Sequence, residues 1–299
     1  MRPSALFGPW GVSTICRDLL QKESNLGARK VRRERFFAQH PYCCFCGGAN
    51  PATTEDHLPA RSLFYKRGWP EGYVFPACEA CNRNSAEDEL IMGFLVRVTV
   101  LPVDVEQRRE RLKTIEGIKA RYPDFFQGFQ KFSRNETRRR AQAIGGLEKF
   151  GVEPTNIVMV GMPQLAMDVA TRYGEKLGKA LHYFHTQEIL PAGGSTWAWV
   201  MTNAVSPLLD IPQELMGPLT AAPMAQIVRG ANQLDSQFSY RYLIVENGAA
   251  TCFLVTLGAS MTVLMTAFRD GADGPTLAQQ ENLRDFVNVA ALPAPQTEL

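Results

Sequence analysis

Four cysteines fall into two C-x-x-C pairs, Cys43/Cys46 and Cys78/Cys81, with 31 residues between the pairs. Zinc takes four tetrahedral ligands and binds thiolates well. A C-x-x-C turn presents two sulfurs to one ion, and Gly47 after Cys46 eases that turn because glycine tolerates positive φ. The spacing therefore predicts a structural zinc site on Cys43, Cys46, Cys78 and Cys81. Cys44 breaks the knuckle spacing and reads as a buried or half-exposed thiol. Cys16 and Cys252 lie in apolar surroundings and read as core. Seven cysteines in 299 residues are too few for a disulfide scaffold, and their pairing is a metal signal of an intracellular protein.

Between the pairs runs Thr53-Thr-Glu-Asp-His-Leu-Pro-Ala-Arg-Ser-Leu-Phe64, and Asn82 follows the fourth cysteine directly. Phosphodiester hydrolysis needs an activated water and a divalent ion that steadies charge on the phosphate and the leaving oxygen. Mg2+ prefers oxygen ligands and takes few of them from protein, which suits Asp56 and the side-chain oxygen of Asn82. His57, with an ordinary pKa near ~6.5, can accept the water's proton at neutral pH. Glu55 is a competing carboxylate if the register differs by one. Successive strand residues point to opposite faces, so Asp56 and His57 diverge unless the strand end is distorted. Taken alone, the pair reads first as a surface pair in a loop that caps the next turn.

The order C-x-x-C, acid-His, C-x-x-C-Asn resembles the HNH (ββα-metal) endonuclease family, most closely its zinc-containing members such as phage recombination endonucleases. The resemblance covers about residues 35–95. It implies a zinc scaffold on the four cysteines and a catalytic Mg2+ or other divalent cation on Asp56 and Asn82. It also implies His57 as general base and 5′-phosphate and 3′-hydroxyl products. The chain departs from the pattern in two places. The Asn that precedes the third cysteine and orients the histidine has no counterpart in Gly72-Tyr-Val-Phe-Pro-Ala-Cys78, where Tyr73 stands nearest. A backbone carbonyl is then expected to orient His57. The lysine common after C-x-x-C-Asn is replaced by Arg83. Arg61 and Arg83 are the nearest cations and are expected to meet phosphate. Ser85 and Asp88 have capping-box-like spacing, which predicts a helix start or restart at Ser85.

The elements that must hold these residues carry an uneven charge. The chain's net charge is +2, but residues 1–150 hold 25 basic against 17 acidic side chains and residues 151–299 hold 7 against 13. Basic clusters at 29–35 (with Arg32, Arg33 and Arg35), 108–121 and 131–140 suit phosphate contact through counterion release. DNA is the expected partner, with RNA the alternative to it. No base-reading motif stands out. Helices are expected at 13–39, from the second cysteine pair to about Val98, at 103–121 and at 124–150. A hairpin is expected within 41–56.

The domain boundary is placed near 150, giving a nuclease domain at 1–150 and a C-terminal α+β domain at 151–299. The second domain opens on an apolar stretch, Ile157–Val160. A helix from about 163 to 189 follows, with Leu165, Val169, Tyr173, Leu177, Leu181 and Phe184 on one face. A strand at 196–202 and a Pro-interrupted region at 206–224 come next. An antiparallel meander from Phe238 turns at Asn247-Gly248, and a short helix is expected at 276–290. His182 and His185 read as a packed or surface pair, and the strand aromatics Trp197, Trp199, Tyr240 and Tyr242 as core.

The fold class is thus α+β, a treble-clef-like ββα-metal module among helices followed by a mixed domain. Gly248–Phe268 is uncharged but broken by threonines and glycines, so it reads as buried strands rather than a membrane span. No signal peptide is read, and a cytoplasmic location is expected. The C-terminal half is left for a homodimer contact or a protein partner. Two alternatives stand beside the nuclease. One is a non-catalytic zinc module that binds nucleic acid. The other is an effector nuclease, as in restriction or anti-phage defence, restrained by its C-terminal half.

Overall fold

The computed structural model describes residues 14–98, 104–143, 160–202, 213–245, 248–258 and 261–271. The chain is mixed α and β, with helices and antiparallel sheets, and divides into two units, Met1–Pro41 and Tyr42–Leu299. The first unit is described over one helix, α1 (Thr14–Gln39). Arg29, Lys30, Arg32, Arg33 and Arg35 are all exposed on it. Lys30 and Glu34 form an i,i+4 ion pair at 3.9 Å, which adds little to stability in water.

The second unit opens on the first cysteine knuckle. An antiparallel hairpin follows, β1 (Thr54–His57) on β2 (Val74–Ala77), with Asp56 opposite Phe75 and His57 opposite Val74. The second knuckle starts α2 (Glu79–Asn84), and the chain restarts as α3 (Ala86–Val98) after Ser85. The restart has the predicted place but a different bond. Ser85 Oγ hydrogen-bonds Glu89 Oε1 at 3.1 Å and donates to the Asn82 carbonyl at 3.0 Å.

Asp104 caps α4 (Val105–Arg121) by accepting from the Gln107 N–H at 2.7 Å. The helix expected over 124–150 is instead broken into three. A 3-10 turn spans Phe125–Gly128, then come β3 (Gln130–Lys131) and α5 (Arg134–Ala143). Phe125, Phe126 and Phe129 turn inward onto Phe94, and Gly128 sits so close to Pro163 that a Cβ would lie 2.6 Å from it. A continuous helix cannot make both contacts.

After β4 (Val160–Gly161), which pairs with β3, runs the long α6 (Gln164–Thr186). It lies on a four-stranded antiparallel sheet of order β5-β10-β9-β8. The strands are β5 (Ser195–Thr202), β8 (Phe238–Val245), β9 (Ala250–Leu257) and β10 (Met261–Phe268). α7 (Gln213–Ala221) and a small hairpin, β6 (Val228–Arg229) with β7 (Asn232–Gln233), lie between β5 and β8 in sequence.

Gly174 lets α6 lie close to the sheet, since a Cβ there would come within 2.7 Å of Ala198. The helix is accordingly turned toward its small residues: Ala166, Val169, Ala170, Tyr173, Leu177, Ala180 and Leu181 are buried, while the expected Leu165 is 47% exposed. The opposite sheet face packs Trp197, Trp199, Leu219, Cys252 and Leu264.

The uncharged 248–268 segment is β9 and β10, and no helix among the described residues is long and apolar enough to cross a membrane. The boundary placed near 150 falls among residues 144–159, outside the described residues, as does the helix expected at 276–290. Side chains from both sides of that boundary share one buried cluster running from Cys43 to Met265.

Candidate metal centre and the strand it fixes

Each cysteine pair is shaped by its own turn. In the first, Cys43 N–H bonds the Asn50 carbonyl at 2.9 Å, and Gly47 (φ 68°) and Gly48 (φ 76°) turn left-handed. Gly47 has no alternative, because a Cβ there would lie 2.5 Å from the Ala192 nitrogen. In the second, Cys78 is the N-cap of α2, and its sulfur accepts from the Cys81 N–H at 3.5 Å. The two turns bring the four sulfurs of Cys43, Cys46, Cys78 and Cys81 within 4.8 Å of one another, close enough to hold one metal ion such as zinc.

Without a cation, burial favours the neutral form of most of these thiols. Burial, then the neighbouring Cys78, pushes Cys81 well up, and burial raises Cys43. Cys46 is desolvated too, but Asn50, donating to its sulfur at 3.5 Å, brings it below its ordinary value. A bound cation would reverse the upward shifts by stabilising thiolate. Cys44 is 1% exposed, and burial holds its thiol well above the usual range. It belongs to the core, as does Cys252. The structure of Cys16 is described only as part of α1.

The cysteines clamp the ends of β1 and β2, and β1 presents its last two residues to opposite faces. Asp56 points inward and is 3% exposed. Lys176 Nζ from α6 donates to its Oδ2 at 2.5 Å, to Ser85 Oγ at 2.5 Å, and lies 3.6 Å from Glu89 Oε1. Neighbouring α6 side chains hold the same surface. Arg172 grips Asp88 through two hydrogen bonds of 3.1 and 2.8 Å, Tyr173 Oη accepts from the Ala60 N–H at 2.9 Å, and Lys179 reaches the Phe45 carbonyl at 3.4 Å. Burial, then the negative charge of Asp56, raises the Glu89 carboxyl.

His57 points the other way and is half-buried. Its Nε2 meets Arg61 Nη2, and its ring stands edge-on to Trp69 at 5.3 Å. The guanidinium of Arg61 lies 3.7 Å from the Trp69 ring centroid. Tyr73, the residue nearest the missing Asn in sequence, is buried. It stacks on Phe184 and hydrogen-bonds Tyr240 at 3.0 Å, in the core.

The predicted site residues therefore separate. The four cysteines come together. Asn82 is half-buried in α2, and among the described residues no hydrogen bond joins its amide to Asp56. Arg83 is exposed and paired with Glu79 on its own helix. Arg32, Arg33 and Arg35 belong to the α1 unit. Glu55 lies opposite Pro76 on the strand and is half-buried.

A divalent ion does not fit Asp56 in this arrangement, because an ammonium already meets that carboxylate at contact distance. Among the described residues, the cysteine cluster is the one group of three or more His, Cys, Asp or Glu side chains able to hold a metal. Lys176, Trp69 and Arg229 are the site residues that sequence reasoning missed. The signal for Lys176 is a cation at the edge of the buried α6 stripe. Trp69 and Arg229 carry none.

His182 and His185 are a packed pair, as expected. His182 is fully buried with Nδ1 3.1 Å from Thr251 Oγ1, and His185 Nε2 lies 3.0 Å from the Tyr240 hydroxyl. Comparison with family models, with curated proteins and with solved structures finds no match for this chain.

Proposed function

We propose that the chain is a zinc-stapled nuclease of the HNH type that hydrolyses phosphodiester bonds of DNA, RNA being the alternative substrate. The observation that carries this reading is the position of His57. It sits half-exposed beside a guanidinium on the strand that the cysteine cluster holds. A guanidinium only donates, so the imidazole accepts at Nε2 and keeps its lone pair there. When a phosphate draws Arg61 away, Nε2 is released to take a proton from water. Arg61 then offers a paired set of donors to the phosphate. Zinc on Cys43, Cys46, Cys78 and Cys81 is structural and supplies no step. No step is routed through Asp56 and Asn82 either, since Lys176 holds the carboxylate that Mg2+ would need. Thiolates kept free for zinc suit a cytoplasmic setting.

The Asp56–Lys176 pair also favours a second reading, a non-catalytic zinc module that binds nucleic acid. Supercoiled-plasmid cleavage across several divalent ions separates the two. The nuclease reading expects cleavage by the native protein and a loss of about 10²–10⁴-fold in His57→Ala. Plasmid left intact by both, with DNA binding retained, would overturn it. Deleting residues 151–299 is a poor test of restraint by that half, because the deletion strips the shared core.

A further inference from the structure

Trp69 lies between two arginines that are far apart in sequence. Arg61 approaches its ring centroid to 3.7 Å and Arg229 to 4.1 Å. Two guanidiniums this close to one centroid would overlap on a single face, so they flank the ring on opposite faces. Their charges then lie within about 8 Å of each other, with His57 edge-on to the same indole.

Arg229 is brought there deliberately by the β6–β7 hairpin, which is stitched to the Trp69 loop. Glu71 N–H donates to the Val228 carbonyl at 3.0 Å, Gly230 N–H donates to Glu71 Oε1 at 3.1 Å, and Arg229 Nη1 donates to the Trp69 carbonyl at 3.0 Å. Glu71 therefore answers the hairpin backbone rather than Arg229, which has no carboxylate partner among the described residues. A guanidinium carries five donors, and most of those on Arg229 are left for a ligand. The turn just before Trp69 holds Lys66 (φ 53°) and Arg67 (φ 54°) in left-handed backbone; Lys66 Nζ is paired with Glu106 at 3.0 Å, so Arg67 is the further cation there. Such conformations in residues other than glycine are costly and gather at ligand-binding sites.

We propose that Arg61 and Arg229, held on the two faces of Trp69, form a clamp for the phosphate backbone of a DNA strand and set that strand beside His57. Arg229 is then a positioning residue for the hydrolysis attributed to His57, and this role rests on that reading. The clamp itself is a binding site and stands or falls separately. The two like charges repel, and a bound phosphate relieves the repulsion. The planar forks match phosphate oxygens in pairs, which a lysine cannot do.

The test is binding of a fluorescent DNA oligonucleotide to the full chain carrying His57→Ala, without added divalent ions, over a range of salt. Arg229→Gln should weaken binding by about 3–10-fold and reduce the salt slope by about one phosphate contact. Arg229→Lys should keep the slope while losing part of the affinity. Arg172→Gln, on α6, should change neither. Unchanged affinity and slope in Arg229→Gln would overturn the clamp. So would an Arg229→Lys as weak as Arg229→Gln with a slope equally reduced, because that marks a purely structural side chain. If the native protein never cleaves but the Arg229→Gln loss persists, the hydrolytic reading falls and the phosphate clamp is supported.

Discussion

Asp56 and His57 are neighbours on one short strand, yet their surroundings have little in common. The Asp56 face is closed. Lys176 sits between Asp56 and Glu89 with its side chain 12% exposed, and α6 covers the whole patch. The His57 face is half-open and cationic, built from Trp69, Arg61 and Arg229. Strand alternation alone sends the two side chains apart. What differs is what meets them: one long helix on the inner face, and two loops on the outer. The carboxylate of the acid-His pair thereby joins the cysteine-flanked hairpin to the second half of the chain. The imidazole is left where a ligand can reach it.

The largest way to break the comparison removes the element both faces share. Zinc binding to a four-cysteine site carries roughly 10 kcal/mol or more of folding free energy. Cys78→Ser is expected to lose the metal and to unfold the hairpin, abolishing both environments at once. Zinc content per chain and near-ultraviolet circular dichroism would report this. An equally cooperative melt at an unchanged temperature after metal removal would show that the core holds β1 without zinc.

A more selective cut distinguishes the faces. Asp56→Asn removes the anionic partner of a buried ammonium that also meets Ser85, Glu89 and the Phe45 ring, and breaking a buried pair this way costs about 3–5 kcal/mol. The Glu89 carboxylate still faces Lys176, so the low end is expected. The double variant Asp56→Asn with Lys176→Met should recover part of the loss, because it removes the buried ammonium, although Glu89 then keeps only Ser85 as its hydrogen-bond partner. His57→Ala should cost about 1 kcal/mol or less, in keeping with its half-open site. Urea midpoints of the four proteins make the comparison. Equal losses for Asp56→Asn and His57→Ala would erase the distinction between the faces.

Sequence carried part of this. The cysteine spacing announced a cluster able to hold a metal, and the period-2 argument for β1 raised the divergence of Asp56 and His57, although the resemblance expected both at one site. The meander from Phe238 was legible because β8, β9 and β10 follow one another in sequence with only short connections and need only local signals. Lys176 was not, because it meets Asp56 across 120 residues and nothing in the α6 repeat says which strand its flank will touch. The same holds for Arg229, which reaches Trp69 across 160 residues. The exposed Leu165 and the broken 124–150 helix have a related cause. Helical periodicity counts apolar residues, but Gly174 and Gly128 set how closely the backbones approach, and that approach chose the buried face.

Acid should weaken the closed face through the helix that covers it. His182 lies on α6, six residues beyond Lys176, and burial, then Arg269, lowers its pKa to about 4. Burial lowers His185 to about 4 as well. Both are neutral in the folded chain, while the unfolded chain takes up their protons near ~6.5. Below that pH the unfolded state binds more protons, so stability is complete above ~6.5 and declines as pH falls toward 4. For His182 the loss is on the order of 2 kcal/mol by pH 5. Glu89 acts in the opposite sense, since its raised pKa means the folded state holds a proton that the unfolded state has already released. Metal held on the cysteine cluster would also be released in acid, so the raw pH profile mixes several groups. The difference between native protein and His182→Asn at each pH cancels what they share, because the cysteine cluster and the histidine are separate sites. That difference should shrink steadily from pH 7 to pH 5 as the native protein loses an advantage the variant never had. A difference flat across that range would mean that His182 does not titrate with unfolding, and that α6 is not how acid reaches the Asp56 face.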